Sequence, residues 1–215
     1  MEVIGALHQR FVAGRRVQVL AGHLTALIPA GARVLDVGCG DGLIDRFILE
    51  SRTDVSIQGI DVLVRPDAPI PVKEFDGITI PFSDASFDLV MFVDVLHHTA
   101  DPFVLLREAR RVASTVLIKD HFRDGFLSGG TLRLMDWVGN AHHGVALPYN
   151  YWSRVQWEQA FAELQLKVSA TSSRLGLYTR PASWIFERGL HFVTRLDRAE
   201  VRRPVSSQVR TFENT

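Results

Sequence analysis

Cysteine is nearly absent: Cys39 is the single one in 215 residues. An internal disulfide and a cysteine-rich zinc site are therefore excluded. No sign of charge is in excess, with 24 Lys plus Arg against 24 Asp plus Glu. Broad electrostatic attraction to nucleic acid is not expected from such a balance. Long apolar runs are missing too. The longest near the centre is Leu89 to Val93, far short of a membrane span. The start, Met-Glu-Val-Ile-Gly, lacks the basic head and apolar core of a signal peptide, so the default placement is cytoplasmic. No internal repeat and no low-complexity segment is visible. What remains is ordinary: 47% hydrophobic and 22% charged residues, enough to build one sizeable core. Disordered, collagen-like and disulfide-scaffold classes fall away.

Residues 1–29 read as an N-terminal helical cap. Apolar positions Ile4, Leu7, Phe11, Val12, Val19, Leu20, Leu24, Leu27 and Ile28 suit helices broken or bent around Gly14. Pro29-Ala-Gly31 ends that segment. The main domain is expected over 30–200. Val34 to Val37 reads as a buried strand, Leu43 to Ser51 as a helix and Val55 to Ile60 as a second strand. A short third strand falls near Val72 to Phe75, and Phe87 to Val93 is a strong fourth. Phe103 to Val112 looks helical, and Val116 to Ile118 makes a fifth strand. Strands and helices alternating at this rhythm predict an α/β fold: a doubly wound, mostly parallel sheet with helices on both faces. Residues 122–152, rich in Gly and aromatics, read as an insertion after the fifth strand, partly helical around Leu132 to Val138. Trp157 to Leu164 is expected as a helix and Gln165 to Ala170 as a late strand. From Ala182 to Leu196 a helical pattern returns, with Ile185, Phe186, Leu190, Val193 and Leu196 on one side and Glu187, Arg188, His191 and Arg195 on the other. Residues 201–215 form a polar tail.

The sharpest signal is Val34-Leu-Asp-Val-Gly-Cys-Gly-Asp-Gly42, a buried strand running into three glycines and then a helix. Glycine there lets backbone turn sharply and lie against a ligand. The spacing is G-x-G-x-G, not the G-x-G-x-x-G of a pyrophosphate turn, and it lacks the Lys-Ser/Thr of a triphosphate loop. With Asp36 and Asp41 present and no basic residue between Gly38 and Leu43, a phosphate is poorly matched. Taken alone, such a loop is as readily a tight turn, and Cys39 a small loop residue rather than a nucleophile.

Asp36-Val-Gly-Cys-Gly-Asp-Gly42 resembles the first motif of the class I S-adenosylmethionine-dependent methyltransferases, whose fold is Rossmann-like. Further elements follow in the family's order. Gly59-Ile-Asp61 places a carboxylate 61 − 36 = 25 residues past Asp36, where it can accept both hydroxyls of a ribose. Phe75-Asp76-Gly77 supplies the acidic position that in the family contacts the adenine amino group. Ser86 to His98 looks like the strand under the sulfonium. The resemblance covers about residues 30 to 120 and implies S-adenosylmethionine as cofactor and S-adenosylhomocysteine as product. It implies Asp36, Gly38, Gly40, Asp61, Val62, Asp76, Gly77 and Val93 as cofactor-binding positions.

Methyl transfer from a sulfonium is an in-line displacement that needs no acid for the leaving group. Orientation can supply up to ~7–11 kcal/mol of barrier lowering. A hydroxyl acceptor must also lose its proton, which suits a histidine near neutral pH. His97 and His98 follow the fourth strand, and His121 follows the fifth, on the side where open parallel sheets bind ligands. His121 is the preferred base and His98 the second candidate. A metal-assisted alternative would use Asp94 and Asp120. Magnesium prefers oxygen ligands and Asp120 is followed by His121, so no metal is expected. His142, His143, Tyr149, Tyr151 and Trp152 concentrate in the insertion and suit the apolar wall of an acceptor pocket as well as a packed connector. The expected partner is a small molecule: an aromatic, polyketide or lipid-like hydroxyl compound. The rival is a protein or carrier-linked substrate docked by Arg195, Arg198, Arg202, Arg203 and Arg210. Peripheral membrane contact is compatible with Trp184, Phe186 and Phe192. The oligomeric state is left open.

Overall fold

In a computed structural model the chain is described over residues 2–125, 127–140 and 148–199. The elements in chain order are α1 (Glu2–Thr25), β1 (Arg33–Val37), α2 (Leu43–Ser51), β2 (Ser56–Asp61), β3 (Val72–Glu74), β4 (Phe87–Val93), a 3₁₀ turn at Leu96–His98, and α3 (Pro102–Val112). They continue with β5 (Ala113–His121), α4 (Ser128–Asn140), α5 (Arg154–Glu163), β6 (Leu166–Ser172), α6 (Ser183–Phe186) and β7 (His191–Arg198). Seven strands form one sheet in the order β3-β2-β1-β4-β5-β7-β6. The first five are parallel; β7 runs antiparallel between β5 and β6.

Alternation along β4 builds both layers. Leu89 and Met91 face one side, in a core with Leu20, Leu24 and Ile28 and with Ile48 of α2. Val90 and Phe92 face the other, against Leu105 and Leu106 of α3 and Trp157 and Phe161 of α5. A strand buried on both faces needs an apolar run, and Leu89 to Val93 is one. The strand order reverses between β1 and β4, so a crevice opens beyond their carboxyl ends. Helix starts nearby are capped from their own sequence. Asp101 accepts the Phe103 N–H ahead of Pro102, and Ser153 and Gln156 form a reciprocal capping box.

The structure corrects two expectations. Residues around Gly14 do not break or bend a helix; α1 runs unbroken through Thr25. An interior glycine costs only about 1 kcal/mol, and burial of Leu20, Ala21 and Leu24 on one face outweighs it. The segment 182–196 is not one helix. It holds the four-residue α6 and then β7, separated by Gly189 in a left-handed conformation. His191 to Thr194 are buried one after another because both edges of β7 are paired, and such a run carries no period that separates strand from helix. Smaller shifts concern β5, which runs from Ala113 rather than Val116 and on to His121, and β3, which ends at Glu74. Within the insertion, helix α4 agrees with the sequence pattern. No helix among the described residues is long and apolar enough to cross a membrane.

Candidate active site

At the carboxyl end of β2, Asp61 is pinned by two backbone donors. Its Oδ2 accepts from Gly40 N–H at 2.8 Å and its Oδ1 from Leu63 N–H at 2.9 Å. The carboxylate thereby joins the glycine loop to the β2 loop and keeps lone pairs for further donors. The loop itself folds back on β2, where Gly38 N–H donates to the Ile60 carbonyl at 2.7 Å. Gly38 has φ +76, and a Cβ there would lie 2.5 Å from Val95 Cγ2. Only glycine fits between this turn and the chain leaving β4.

The β3 side closes against the same loop. One oxygen of Asp76 accepts N–H groups of Thr79 at 2.6 Å and Ile78 at 2.8 Å, which holds its carboxyl below the usual range. A Cβ on Gly77 would approach Val62 Cγ1 at 3.2 Å, so the Asp76 turn and the Asp61 turn abut. Val62 and Ile78 are both exposed beside them. Two apolar side chains, each next to a fixed carboxylate, are the walls and polar handles that a purine nucleoside needs.

Asp36 sits beneath the loop and is buried, as is Asp45 from α2. No described residue donates to Asp36 Oδ1 or to either oxygen of Asp45. The two carboxyls act on each other's protonation. Burial, then the Asp45 charge, lifts the Asp36 carboxyl well above the ordinary range, and burial lifts Asp45 to about 6. Two adjacent buried carboxyls resist carrying two negative charges at once, and a cation arriving beside Asp36 would be stabilised. The chemistry fits a sulfonium or an ammonium and would repel a phosphate. Burial pushes the Cys39 thiol up, away from nucleophilic use. Val93 ends β4 half-buried in the core beside this loop.

Across Val95 lies a second, more enclosed group at the ends of β4, β5 and β7. Asp94 has φ +59 and turns the chain out of β4. Its carboxylate takes Lys119 Nζ on one oxygen and Arg16 of α1 on the other, at 2.9 Å. Burial alone would raise it, but Lys119, His121 and Arg16 outweigh burial and hold Asp94 well below the usual range. His97 Nδ1 lies 2.7 Å from Asp120 Oδ1, with both groups buried. The same Asp120 oxygen accepts the His121 N–H at 2.8 Å. Burial would raise Asp120 as well, yet His97 and His121 bring it far down. The carboxylate therefore holds a proton on His97 Nδ1, which leaves Nε2 as the acceptor nitrogen of the neutral ring.

His121 is buried with Nδ1 at 3.4 Å from Asp120 and 3.6 Å from Asp94. Burial, then the Lys119 charge, lowers its pKa to about 4. Burial lowers His191, its neighbour at 4.7 Å between ring centroids, even further. Both rings are neutral at physiological pH. His98 is half-buried, its ring 4.0 Å from that of His97. Tyr151 stacks on His97 at 5.1 Å and 20°, and Tyr149 stands 6.5 Å from Tyr151 under the guanidinium of Arg133.

Of the sequence-predicted site residues, Asp36, Gly38, Gly40, Asp61, Val62, Asp76 and Gly77 come together around one crevice, with Val93 at its floor. His98, His121, Tyr149 and Tyr151 gather around His97. Trp152 instead packs on Trp157 at 4.9 Å, in the α5 core. His142 and His143 lie outside the described residues. Arg195 is tied to Asp197 and the Leu27 carbonyl, and Arg198 to the Arg110 carbonyl, so two members of the supposed docking cluster serve the fold. Arg202, Arg203 and Arg210 lie outside the described residues. Sequence reasoning missed Arg16, Asp45, Lys119 and His191. Lys119 alone carried a signal, as a cation inside an apolar strand.

Asp94, His97 and His121 place three ligand-capable atoms within 4.8 Å of one another. Two cations already occupy the Asp94 carboxylate, which works against a third.

Residues 7–171 match the family described as Methyltransferase domain. The 27-O-demethylrifamycin SV methyltransferase of Amycolatopsis mediterranei (strain S699) is 31% identical over 108 residues, 43% of this chain and 39% of that protein. The 2-methyl-6-phytyl-1,4-hydroquinone methyltransferase of Synechocystis sp. (strain ATCC 27184 / PCC 6803 / Kazusa) is 30% identical over 156 residues, 64% of this chain and 44% of that protein. The chain thus spans less than half the length of these curated relatives. Among solved structures, the PH0226 protein of Pyrococcus horikoshii OT3 superposes with a TM-score of 0.62 at 17% identity, covering 85% of this chain and 89% of that one. At that identity the likeness concerns the fold.

Proposed function

The chain belongs to the class I S-adenosylmethionine-dependent methyltransferases, and from that membership we propose that it methylates a hydroxyl of a small lipophilic acceptor, aromatic or quinol-like. The observation that carries this reading is the pairing of two unlike half-sites across Val95. One is a nucleoside crevice of fixed carboxylates; the other is a buried cluster of histidines under Tyr151. The relatives support the acceptor class: one acts on a rifamycin, the other on a phytyl hydroquinone.

When bound, the cofactor supplies a methyl group on a cationic sulfur. Asp61 would hold its ribose, Asp76 its adenine amino group, and Asp36 would face its positive charge. Val62 and Ile78 would flank the base. On the other side, His97 takes the acceptor's proton at Nε2, oriented and stabilised by Asp120. His121, the base preferred from sequence, has its affinity for protons lowered by burial and Lys119, and serves as a polar wall. His98 and Tyr149 border the acceptor's path. Because Lys119 and Arg16 compensate Asp94, turnover needs no metal and persists in a chelator.

The test is a reaction with isotopically labelled cofactor and a panel of phenols, hydroquinones and hydroxy acids, read by mass spectrometry. Methylation of a lipophilic phenol or hydroquinone is the expected result. Labelling confined to a carrier protein or a peptide would overturn the acceptor class.

A further inference from the structure

Ten large apolar side chains are exposed among the described residues, and they are not scattered. Val62 and Ile78 flank the cofactor crevice, and Leu63 and Val64 follow Val62 directly in the chain. Val155 and Val168 stand singly. The remaining four, Leu127, Leu134, Trp184 and Ile185, come from two segments far apart in sequence. Leu127, Thr131 and Leu134 follow helical spacing, so they share one face of α4 and its lead-in. Arg188 bridges that face to α6: its Nη2 donates to Thr131 Oγ1 at 3.2 Å and its Nε to the Ile185 carbonyl at 3.1 Å. The four side chains thus border one patch, with Trp184 66% and Leu127 64% exposed. Contiguous exposure of this kind is uncommon on a soluble surface and marks a contact.

The opposite face of α4 is the roof of the acceptor side. Leu132 is buried there with Tyr151 and Leu190, and Tyr151 stacks on His97. One helix therefore joins an exposed apolar patch to the proposed base. Among the described side chains, charge around the patch is mainly positive. The described side chains of 127–135 and 180–188 include Arg133, Arg180 and Arg188, all exposed, against one carboxylate, Glu187. Glu187 is half-buried and spends an oxygen on the Tyr178 N–H.

We propose that the face formed by α4 and α6 docks on an anionic lipid surface, with Trp184, Ile185, Leu127 and Leu134 entering the interface and the arginines meeting lipid phosphates. The inference rests on the lipophilic-acceptor reading and deepens it. An acceptor with a long hydrocarbon chain partitions into bilayers at ~0.8 kcal/mol per buried CH₂, so an enzyme that must reach it gains from working at that surface. A tryptophan beside apolar residues and arginines suits the headgroup boundary, where an amphipathic ring and snorkelling guanidinium groups are both satisfied.

The experiment is co-sedimentation of the full chain with phosphatidylcholine vesicles, with and without phosphatidylglycerol. It is repeated for Trp184→Ser/Ile185→Ser and, separately, for Arg188→Gln. Wild type should pellet with the anionic vesicles and little with the neutral ones. The double variant should bind at least about tenfold more weakly, and Arg188→Gln should lose part of the preference for anionic lipid. Turnover of a short-chain, water-soluble acceptor should be unchanged in the double variant, which also shows that it folds. Absence of wild-type binding, or binding equal in the double variant, overturns the proposal. A concentration-dependent dimer that the double variant abolishes would make the patch a self-association face and overturn it too. Vesicle binding without turnover of any lipophilic acceptor would retire the acceptor class while still supporting the lipid surface.

Discussion

The two halves of the site are built in opposite ways. The cofactor half comes from one stretch, Asp36 to Ile78, on loops whose side chains largely face outward. Its carboxylates are held by neighbouring backbone N–H groups. The acceptor half draws Arg16, Asp94, His97, Lys119, Asp120, His121, Tyr151 and His191 from five separate segments and buries most of them. Local construction gives a binding surface whose geometry is fixed before a ligand arrives. Assembly from distant segments gives a water-poor group of histidines whose proton affinities depend on each other. The first arrangement suits a constant ligand; the second suits control of one proton.

Separate construction implies separable defects. The largest concerns the dyad: His97→Gln or Asp120→Asn should reduce kcat by ~10²–10⁴-fold, measured with labelled cofactor, while cofactor affinity stays near wild type. His121→Gln should cost much less; an equal loss would return the base to His121. Gly38→Ala attacks the seam between the halves. It sets a Cβ against Val95 and strains a positive φ, and should destabilise by ~2–4 kcal/mol in denaturant unfolding.

A smaller effect follows from acid. His121 titrates near 4 in the folded chain against 6.5 in the open chain, and burial lowers His191 too. Between those pH values the unfolded state binds more protons, so stability falls as pH drops from 6.5 towards 4, by at most ~1.4 kcal/mol per pH unit for each group. Asp45, raised from 3.8 to about 6, and Asp36, raised well above its usual range, act in the opposite sense as pH drops and oppose the two histidines. Urea melts across that range should show His121→Gln losing less stability than wild type as pH drops. The smallest effect concerns α1, which brings Arg16 to Asp94. Gly14→Ala should stabilise by about 1 kcal/mol, because a Cβ there meets nothing within 4 Å. A helix interrupted at Gly14 would show no gain.

The same contrast explains what could be read from sequence. The glycine loop, Asp61 and Asp76 were legible because turn, ligand and spacing lie within one βαβ stretch. The parallel sheet was legible because apolar runs such as Leu89 to Val93 announce strands buried on both faces. His97 could not be ranked above His121. The deciding partner, Asp120, reaches it only through the β4–β5 register, in which Val93 pairs with Lys119. His191 was assigned to the polar face of a helix because a doubly buried strand has no period to betray it. Lys119 was hidden for a related reason: its cation is tolerated in the core only because Asp94, from the neighbouring strand's end, meets it.

Calorimetric titration with S-adenosylhomocysteine tests most directly whether the halves are distinct. Wild type, His97→Gln and Asp120→Asn should bind one molecule per chain with similar affinity. Asp61→Ala should bind at least roughly 100-fold more weakly, since two hydrogen bonds to a charged acceptor are worth ~1.5–3 kcal/mol each. No heat with wild type, or an Asp61→Ala affinity equal to wild type, would contradict the assignment of the glycine loop and Asp61 to the cofactor.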